Sequence, residues 1–464
     1  MRKTSVSLTE GPIFKGLLFF SVPLLLSNLF QQLYNSVDSA VVGSYAGDTA
    51  LAAVGSTAAL VNLLVGFFLG IGTGTNILYA MHYGAGDHLG LKKLINSAMM
   101  ISLICGAVIS VLGAVFAETM LIWMDTPADV LPLATDYLRI ILAGTIVTLV
   151  YNVGAGMIRA EGDSTRPLVY LVIGGIVNLI LDFVFVAWLG MGVVGAAIAT
   201  IAAQLASAVL VVLRLTRLHD DYRLRPLKMS MNRLTVWDIT RISVPCGLQG
   251  SMFAISNLLV QSKINSFGSV AMAGVAAYSK IDGFIYMPLM AISLAVSTYV
   301  GQNIGAGKFD RVQKGIRTCL IMSVATAVFL GASVMLLGES VVGIFTKTPE
   351  AQAYAMQQMK FLAPFVWIFV FSDIFGGAIR GAGSTVTVTV ISALSICVFR
   401  ILWLTLLLPV YNDIRVLFLC YPVSWAISSV ATSIYYFKGS VIKKTIREVN
   451  TSGKKSAVIR QRIF

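Results

Sequence analysis

Two aspartates inside apolar runs are the residues best placed to do chemistry. Asp38 lies near the end of a run that begins at about Ile13, and Asp182 ends the run that closes with NLILD. A carboxylate at the centre of a membrane helix costs roughly 2.5–3.5 kcal/mol on insertion scales. Because ionisable residues inside membrane segments are costly, they usually bind ions, protons or substrates. We therefore take these two carboxylates as the first candidates for a cation site.

Polar residues at a similar depth extend this candidate site. Asn178 precedes Asp182 by one helical turn, and Thr200 lies in the next apolar run. At a rise of ~1.5 Å per residue, Asp38, Asp182 and Thr200 lie roughly 9–14 Å below the outer ends of their helices. Two carboxylates in a medium of low dielectric cannot both ionise cheaply, so the pair predicts a proton-binding site.

A sodium site is the other interpretation of the same residues. Carboxylate, amide and hydroxyl oxygens are hard ligands, and they suit Na⁺ by extension from the calcium and magnesium case. The sequence leaves H⁺ and Na⁺ both open. Beyond Na⁺ at Asp38 and Asp182 it predicts no metal and no cofactor, since the three histidines fall in connecting segments without ligand spacing.

Composition identifies the elements that carry these residues as membrane helices. Hydrophobic residues make up 57% of the chain and charged residues 12%, against roughly 25% charged in soluble domains. A membrane-spanning helix needs about 20 apolar residues, and many runs reach that length. The sequence predicts an all-α polytopic membrane protein with twelve transmembrane helices and excludes a soluble globular fold.

Lysine and arginine set the predicted orientation. They collect on alternate connections, including Lys92 and Lys93, the central loop and the tail, whereas acids such as Asp125 and Asp129 lie on the opposite side. This is the positive-inside pattern, so both termini are predicted to be cytoplasmic, in a plasma (inner) membrane. The membrane also accounts for the net charge of +13, and no nucleic-acid partner is expected.

An internal repeat divides the chain into two pseudo-symmetric six-helix lobes. HYGAG at 82–86 matches NIGAG at 303–307, and GMIRAEG at 156–162 matches GAIRGAG at 377–383. Since each half has an even number of spans, the repeat is parallel. The predicted divisions are an amino-terminal lobe, a basic cytoplasmic linker, a carboxy-terminal lobe and a basic cytoplasmic tail, at 1–213, 214–239, 240–437 and 438–464 respectively.

The candidate carboxylates do not take part in this repeat. At the same offset of 221 residues, Asp38 corresponds to Leu259 and Asp182 to Trp403. The repeat accounts for the shared glycines of the turns but not for the carboxylates. This difference favours a functional role for Asp38 and Asp182.

Four stretches make the chain resemble the multidrug and toxic compound extrusion (MATE) transporters over essentially its full length. They read SVPLLLSNLFQQLYNSVDSAVVG, GAGMIRAEGDSTRP, NLILD and GAAIAT, in that order. The resemblance implies a cation-coupled antiporter, not an enzyme, that exports organic and usually cationic compounds. It is closest to the bacterial branch with a cation site in the amino-terminal lobe. That site maps onto Asp38, Asn152, Asn178, Asp182 and Thr200, which adds Asn152 to the cluster found by depth.

Charged residues in the second half complicate the substrate prediction. Lys280 and Asp282 lie in predicted span 8 (269–301), Asp373 in span 10 (354–379) and Arg400 in span 11 (385–409). One interpretation is structural: an ion pair between Asp282 and Arg400, with Lys280 snorkelling outward. The other is a charged wall of a substrate cavity, in which Lys280 and Arg400 would repel cations and admit zwitterions or anions.

Alternative functions are separated by the residues present. A lipid-linked precursor flippase of the same superfamily stays open because Lys280 and Arg400 could grip a pyrophosphate, although the acidic cluster argues against it. A prenyl-phosphate enzyme would need clustered aspartates for Mg²⁺, and short loops leave no room for a receptor ectodomain. We expect an antiporter working by alternating access, with small-molecule substrates, the lipid bilayer as its surroundings, and a monomeric state.

Overall fold

Helices form all the regular structure of the residues that the computed structural model describes, 6–439 and Ile442. The first half consists of α1 to α7: Ile13–Ala46, Asp48–Ala85, His88–Trp123, Leu131–Ala143, Thr145–Ala160, Thr165–Asp182 and Gly192–Thr216. The second half consists of α8 to α16: Arg233–Asn265, Ser269–Gly305, Phe309–Phe345, Pro349–Leu362, Val366–Gly381, Thr385–Ser392, Phe399–Leu406, Leu408–Tyr411 and Ile414–Ile434.

Short 3₁₀ and π-helical turns complete these elements. The 3₁₀ turns are Pro226–Lys228 and Ala363–Phe365, and the π-helical turns are Phe183–Trp188, Ala393–Val398 and Tyr435–Gly439. Most of the predicted basic tail, 443–464, lies outside the described residues, as do Arg2 and Lys3.

Within the described residues, eleven helical stretches are long and apolar enough to cross a membrane, and a bent pair supplies a twelfth. The bent pair is α4 and α5, which meet at an angle of 45°. Gly144 separates the two helices. The side chain of Ile201 on α7 fills the space beside this glycine, so a Cβ on Gly144 would lie only 1.9 Å from Ile201 Cδ1. The span count agrees with the twelve predicted helices.

By packing, the chain divides into two compact units. Among the described residues, the first unit holds Val6 and Leu26–Gly247, and the second holds Ser7–Leu25 and Leu248–Gly439 with Ile442. The predicted division is drawn elsewhere: it places the whole of α1 in the first lobe, the start of α8 in the linker, and α8 from residue 240 onward in the second lobe.

The unit boundaries inside helices follow two prolines. Pro23 lies two residues before the boundary in α1, and Pro245 lies two residues before the boundary in α8. Proline removes one backbone hydrogen bond, so a helix can change direction there. Both prolines belong to the sequence SVP, at 21–23 and 243–245.

Close helix packing fixes the frame of the first unit. A Cβ on Gly156 of α5 would lie 2.4 Å from the carbonyl oxygen of Gly72 on α2, so only glycine permits this approach. Toward the ends of α1 and α6, an apolar core forms around Val42, Leu138 and Val186. The carboxylate-bearing helices are therefore held by tight packing.

Candidate functional site

The two candidate carboxylates lie next to each other in the first unit. Asp182 is the last residue of α6 and is fully buried, and the π-helical turn Phe183–Trp188 follows it directly. Asp38 lies on α1 and is partly buried. Their side chains come within hydrogen-bonding reach of each other.

Three of their four carboxylate oxygens have no hydrogen-bond donor among the described residues. Asp38 Oδ1 and both carboxylate oxygens of Asp182 are buried without a hydrogen-bond partner, as is Asn178 Nδ2. An unpaired buried charge is costly, and two adjacent ones are more so. The pair is satisfied by a shared proton or by a cation held between the carboxylates, so these residues fit either coupling ion.

Two tyrosines that the sequence reasoning did not single out complete this site. Tyr34 lies one helical turn before Asp38, and its hydroxyl group comes within hydrogen-bonding reach of Thr200. Tyr137 on α4 is 7% exposed and lies close to both carboxylates. The spacing of four residues between Tyr34 and Asp38 could have revealed the first tyrosine, because such residues share a helix face. No local pattern pointed to Tyr137.

Asn152 is held differently from the other predicted ligands. Its Nδ2 atom donates a 2.9 Å hydrogen bond to the carbonyl oxygen of Thr148 on its own helix. Its backbone carbonyl packs against Gly72 at the crossing of α2 and α5. Among the described residues, the Asn152 side chain therefore donates to its own helix and not to a carboxylate.

Lys280 and Asp282, the two charged residues of span 8, differ in the exposure of their side chains. Lys280 is exposed, whereas Asp282 is partly buried. Asp282 Oδ1 accepts a 3.3 Å hydrogen bond from the hydroxyl group of Tyr278, one turn earlier on α9. The structure therefore places Lys280 at the surface of the second unit and Asp282 against its own helix.

The ion pair between Asp282 and Arg400, one of the two interpretations of these charges, is not formed in the described geometry. Arg400 is 4% exposed; its Nε donates to Ser424 Oγ at 3.1 Å. Its guanidinium group lies 4.4 Å from the ring centroid of Tyr421. A cation–π contact and a hydroxyl group thus take the place of the expected carboxylate, because Arg400 stacks readily on an aromatic face.

Aromatic rings gather near this arginine. Tyr286 lies 5.4 Å from Phe369 and 6.3 Å from Trp425, between ring centroids, and Tyr421 lies 6.1 Å from Trp425. Tyr286 and Tyr421 both lie close enough to Asp282 and Arg400 to interact with them electrostatically. We refer to Tyr286, Phe369, Tyr421 and Trp425 as the aromatic cluster. Sequence reasoning missed it, since its rings come from three separate helices.

Asp373 belongs to a different polar group of the second unit. Ser293 Oγ donates a 2.7 Å hydrogen bond to Asp373 Oδ1. Arg380 Nη2 lies 3.4 Å from the same serine oxygen, and its Nη1 donates to Gln249 Oε1 at 3.3 Å. Arg380 is thus a partner in a partly buried polar network. The four predicted second-unit residues do not form one cluster among the described contacts.

Comparison with known proteins places the chain in a family. The MatE family model matches residues 23–184 and 245–405. The chain is 28% identical to "Probable multidrug resistance protein YpnP" of Bacillus subtilis, with 93% of this chain and 96% of that protein covered. It is 23% identical to a "FAD transporter" of Shewanella oneidensis, with 74% and 76% covered.

A solved structure shows the same fold. The structure of an outward-facing multidrug resistance MATE family transporter of the MOP superfamily matches with a TM-score of 0.86 at 22% identity, covering 95% of this chain and 99% of that one. The predicted all-α fold with twelve transmembrane helices is thereby confirmed. The match over both halves, the helical fold and the shared spans together mean that the chain belongs to the MatE family of multidrug and toxic compound extrusion (MATE) transporters.

Proposed function

We propose that this protein is a cation-coupled antiporter that exports organic compounds, and that the Asp38–Asp182 pair is its coupling site. One observation carries the proposal: two adjacent carboxylates with three buried oxygen atoms that have no donor in the part of the chain that the structure describes. Such a pair gains a large part of its stability from whatever positive charge it binds. A proton or a sodium ion is therefore the coupling ion to consider.

The coupling site can act through the helices that carry it. Binding of H⁺ or Na⁺ removes the repulsion between α1 and the end of α6, and release restores it. Alternating access follows if these two states favour opposite openings of the protein, since a ligand shifts a conformational equilibrium only by its differential affinity. The chain contains no G-x-x-x-x-G-K-[ST] sequence for ATP binding. The energy source in this proposal is an ion gradient.

The substrates in this proposal are organic and chiefly cationic amphiphilic compounds. The aromatic cluster and Asp282 suit a flat cation, because aromatic faces attract positive charge. Relatives named for multidrug resistance or export support this choice. Arg400 and the relative named as a FAD transporter add an anionic test compound. The proposal also places the protein in the plasma membrane as a monomer with cytoplasmic termini.

Efflux from proteoliposomes tests the coupling site. We expect Asp38→Asn and Asp182→Asn each to lower gradient-driven efflux of a cationic dye at least tenfold, because the amide cannot exchange a proton or bind Na⁺ as a carboxylate does. pH and Na⁺ gradients imposed separately identify the ion, and flavin adenine dinucleotide is run beside the dye.

The matched control is Asp136→Asn, an exposed aspartate on α4 next to Tyr137. We expect it to keep wild-type efflux. Undiminished gradient-driven efflux by both Asp38→Asn and Asp182→Asn would reject the coupling role. Equal loss in the Asp136 control would show that the assay reports damage to the fold and not to the site.

A further inference from the structure

Three side chains with metal-binding atoms converge at one end of the first unit. His88 is the first residue of α3, and His219 and Asp221 lie in the connection that follows α7. Nδ1 of His88 lies 3.0 Å from Asp221 Oδ2, and Nδ1 of His219 lies 3.2 Å from the same oxygen. One ligand atom from each of the three lies within 4.8 Å of the others.

The separations match those of ligands around a small metal ion. Zn²⁺ binds imidazole nitrogen at about 2.0–2.1 Å and carboxylate oxygen at about 2.0–2.2 Å, so neighbouring ligands of a tetrahedral site lie roughly 3.3 Å apart. The two nitrogen–oxygen distances fall close to this value. All three side chains are exposed, so an ion can reach them and water can fill the fourth position.

The connection that carries His219 and Asp221 forms a turn held by its own hydrogen bonds and an ion pair. The backbone N–H groups of Tyr222 and Arg223 both donate to the carbonyl oxygen of His219, at 3.1 and 2.9 Å. Arg223 also forms a 2.8 Å ion pair with Asp220. These contacts hold His219 and Asp221 on one tight turn, which lowers the ordering cost of binding an ion.

A tyrosine supports both imidazole rings. The Tyr222 ring centroid lies 5.4 Å from that of His88 and 6.0 Å from that of His219. The His88 and His219 rings lie 5.8 Å apart. Ring packing of this kind orients the two imidazoles toward the same oxygen, as the outer partners of metal ligands do elsewhere.

Sequence spacing could not reveal this arrangement, because His88 and Asp221 are 133 residues apart. The third histidine of the chain offers a natural comparison. His82 Nδ1 lies 3.0 Å from Asp87 Oδ2, which reproduces one contact of the cluster. Among the described residues, however, His82 does not belong to a group of three metal-ligating side chains.

We propose that His88, His219 and Asp221 bind a divalent transition metal ion of the Zn²⁺ class. Two imidazoles and one carboxylate are borderline ligands that suit Zn²⁺, Ni²⁺ or Co²⁺, whereas Mg²⁺ and Ca²⁺ prefer sites made only of oxygen. Each Nδ1 then offers its lone pair to the metal, and its proton lies on Nε2. Bound metal joins the start of α3 to the connection after α7 within the first unit.

Zinc binding to the purified full-length protein, carrying no polyhistidine tag, tests the proposal. Competition with a chromophoric chelator is expected to show one Zn²⁺ per chain that excess Mg²⁺ does not displace. We expect His88→Asn, His219→Asn and Asp221→Asn each to weaken binding at least tenfold, since each removes one of three ligands. Co²⁺ absorption spectra provide a second measurement of ligand number.

His82→Asn is the matched control, because it removes the same type of side chain from a similar contact with an aspartate. It is expected to bind Zn²⁺ like the wild type. Asp38→Asn is expected to do so too, which separates this proposal from the coupling site. Thermal unfolding without metal checks that the exposed variants fold.

Three outcomes would overturn the proposal. They are the absence of a stoichiometric zinc site in the wild type, equal zinc affinity in the wild type and the His88→Asn/His219→Asn double variant, and equal loss in His82→Asn. Any of them would leave the cluster as two imidazole N–H groups donating to one carboxylate.

Discussion

Buried acids in the first unit differ in the number of donors that surround them. Asp163 is 1% exposed, and it accepts from both the backbone and the guanidinium group of Arg166. Glu161 accepts from Tyr79 at 2.7 Å and from Arg214 at 3.3 Å. Asp182 is as deeply buried, yet neither of its carboxylate oxygens has a donor within residues 6–439. Glu161 and Asp163 thus have a donor on each carboxylate oxygen, whereas the candidate coupling acid does not.

Glu161 predicts a measurable dependence of stability on pH. Burial raises the pKa of its carboxyl group above the ordinary value of 4.5, while Tyr79 and Arg214 oppose this and nearby Asp163 adds to it. The folded state therefore holds the proton more tightly than the unfolded state. Its stabilising contribution is present below about pH 4.5 and is lost as the pH rises through the raised pKa.

We expect Glu161→Gln to gain stability relative to the wild type as the pH rises, by about 1.4 kcal/mol for each unit by which the pKa is raised. The measurement is the thermal unfolding midpoint of both proteins between about pH 4 and pH 8. Glu118→Gln, at an exposed acid paired with Arg139, is the control for removing a carboxylate charge at the surface. A difference between Glu161→Gln and wild type that does not change with pH contradicts the prediction.

Part of the candidate site could be predicted from the sequence, because counting residues gives the depth of a side chain along a membrane helix. This count predicted that Asp38 and Asp182 lie at a similar depth in the membrane, and the structure brings their side chains together. Tyr137 and the His88–His219–Asp221 group could not be found this way, since tertiary packing alone places them. The sequence also left the partners of Arg400 open, because opposite charges at similar depth do not reveal that Tyr421 and Ser424 contact this arginine.

At the scale of helices, one glycine contact holds α2 and α5 together. We expect Gly156→Ala to destabilise the protein by about 1–3 kcal/mol, the usual cost of overpacking, because its Cβ would lie 2.4 Å from the carbonyl oxygen of Gly72. Gly55→Ala on α2 is the control, since no atom lies within 4 Å of its added Cβ. It should be neutral or stabilising by about 0.4–1 kcal/mol.

Thermal unfolding in one detergent compares the two glycine variants. An unchanged midpoint for Gly156→Ala would contradict the close approach of α2 and α5. A large loss for Gly55→Ala would instead show that these helices do not tolerate alanine for a general reason. The two results together separate local crowding from backbone effects.

Helix order followed from the sequence more readily than helix irregularity. The repeat predicted equivalent turns, and Gly162 and Gly383 adopt φ angles of 87° and 84° at matching positions. The break at Gly144 and the π-helical turns were not predicted. Hydropathy is nearly uniform across such features, because lipid-facing residues stay apolar whether or not the backbone hydrogen bonds shift.

At the scale of the molecule, charge asymmetry predicts how the chain crosses the membrane. Leu227 lies in the basic connection and is fully exposed, and Asp129 is exposed in the connection between α3 and α4. In a variant without the five native cysteines, we expect Asp129→Cys to react with an impermeant maleimide in intact cells. Leu227→Cys should react only after the cells are permeabilised.

Labelling of both positions in intact cells would refute the predicted orientation, and labelling of Leu227→Cys alone would reverse it.

The number of membrane spans could be predicted from the sequence, but the residues at which one packing unit ends and the other begins could not. Proline marks where a helix can bend, but only the contacts on either side of Pro23 and Pro245 show which unit each segment joins. Composition fixes how many helices cross the bilayer without fixing their partners.

The π-helical turn after Asp182 has a consequence for insertions and deletions. A π turn holds more residues than an α turn, so one residue lost from Phe183–Trp188 can be absorbed by rewinding that turn. Such a deletion leaves the residues before it in register. An insertion between Thr165 and Asp182, by contrast, would rotate the carboxylate by about 100° around its helix. We expect natural length variation in this helix to be confined to the stretch beyond the aspartate.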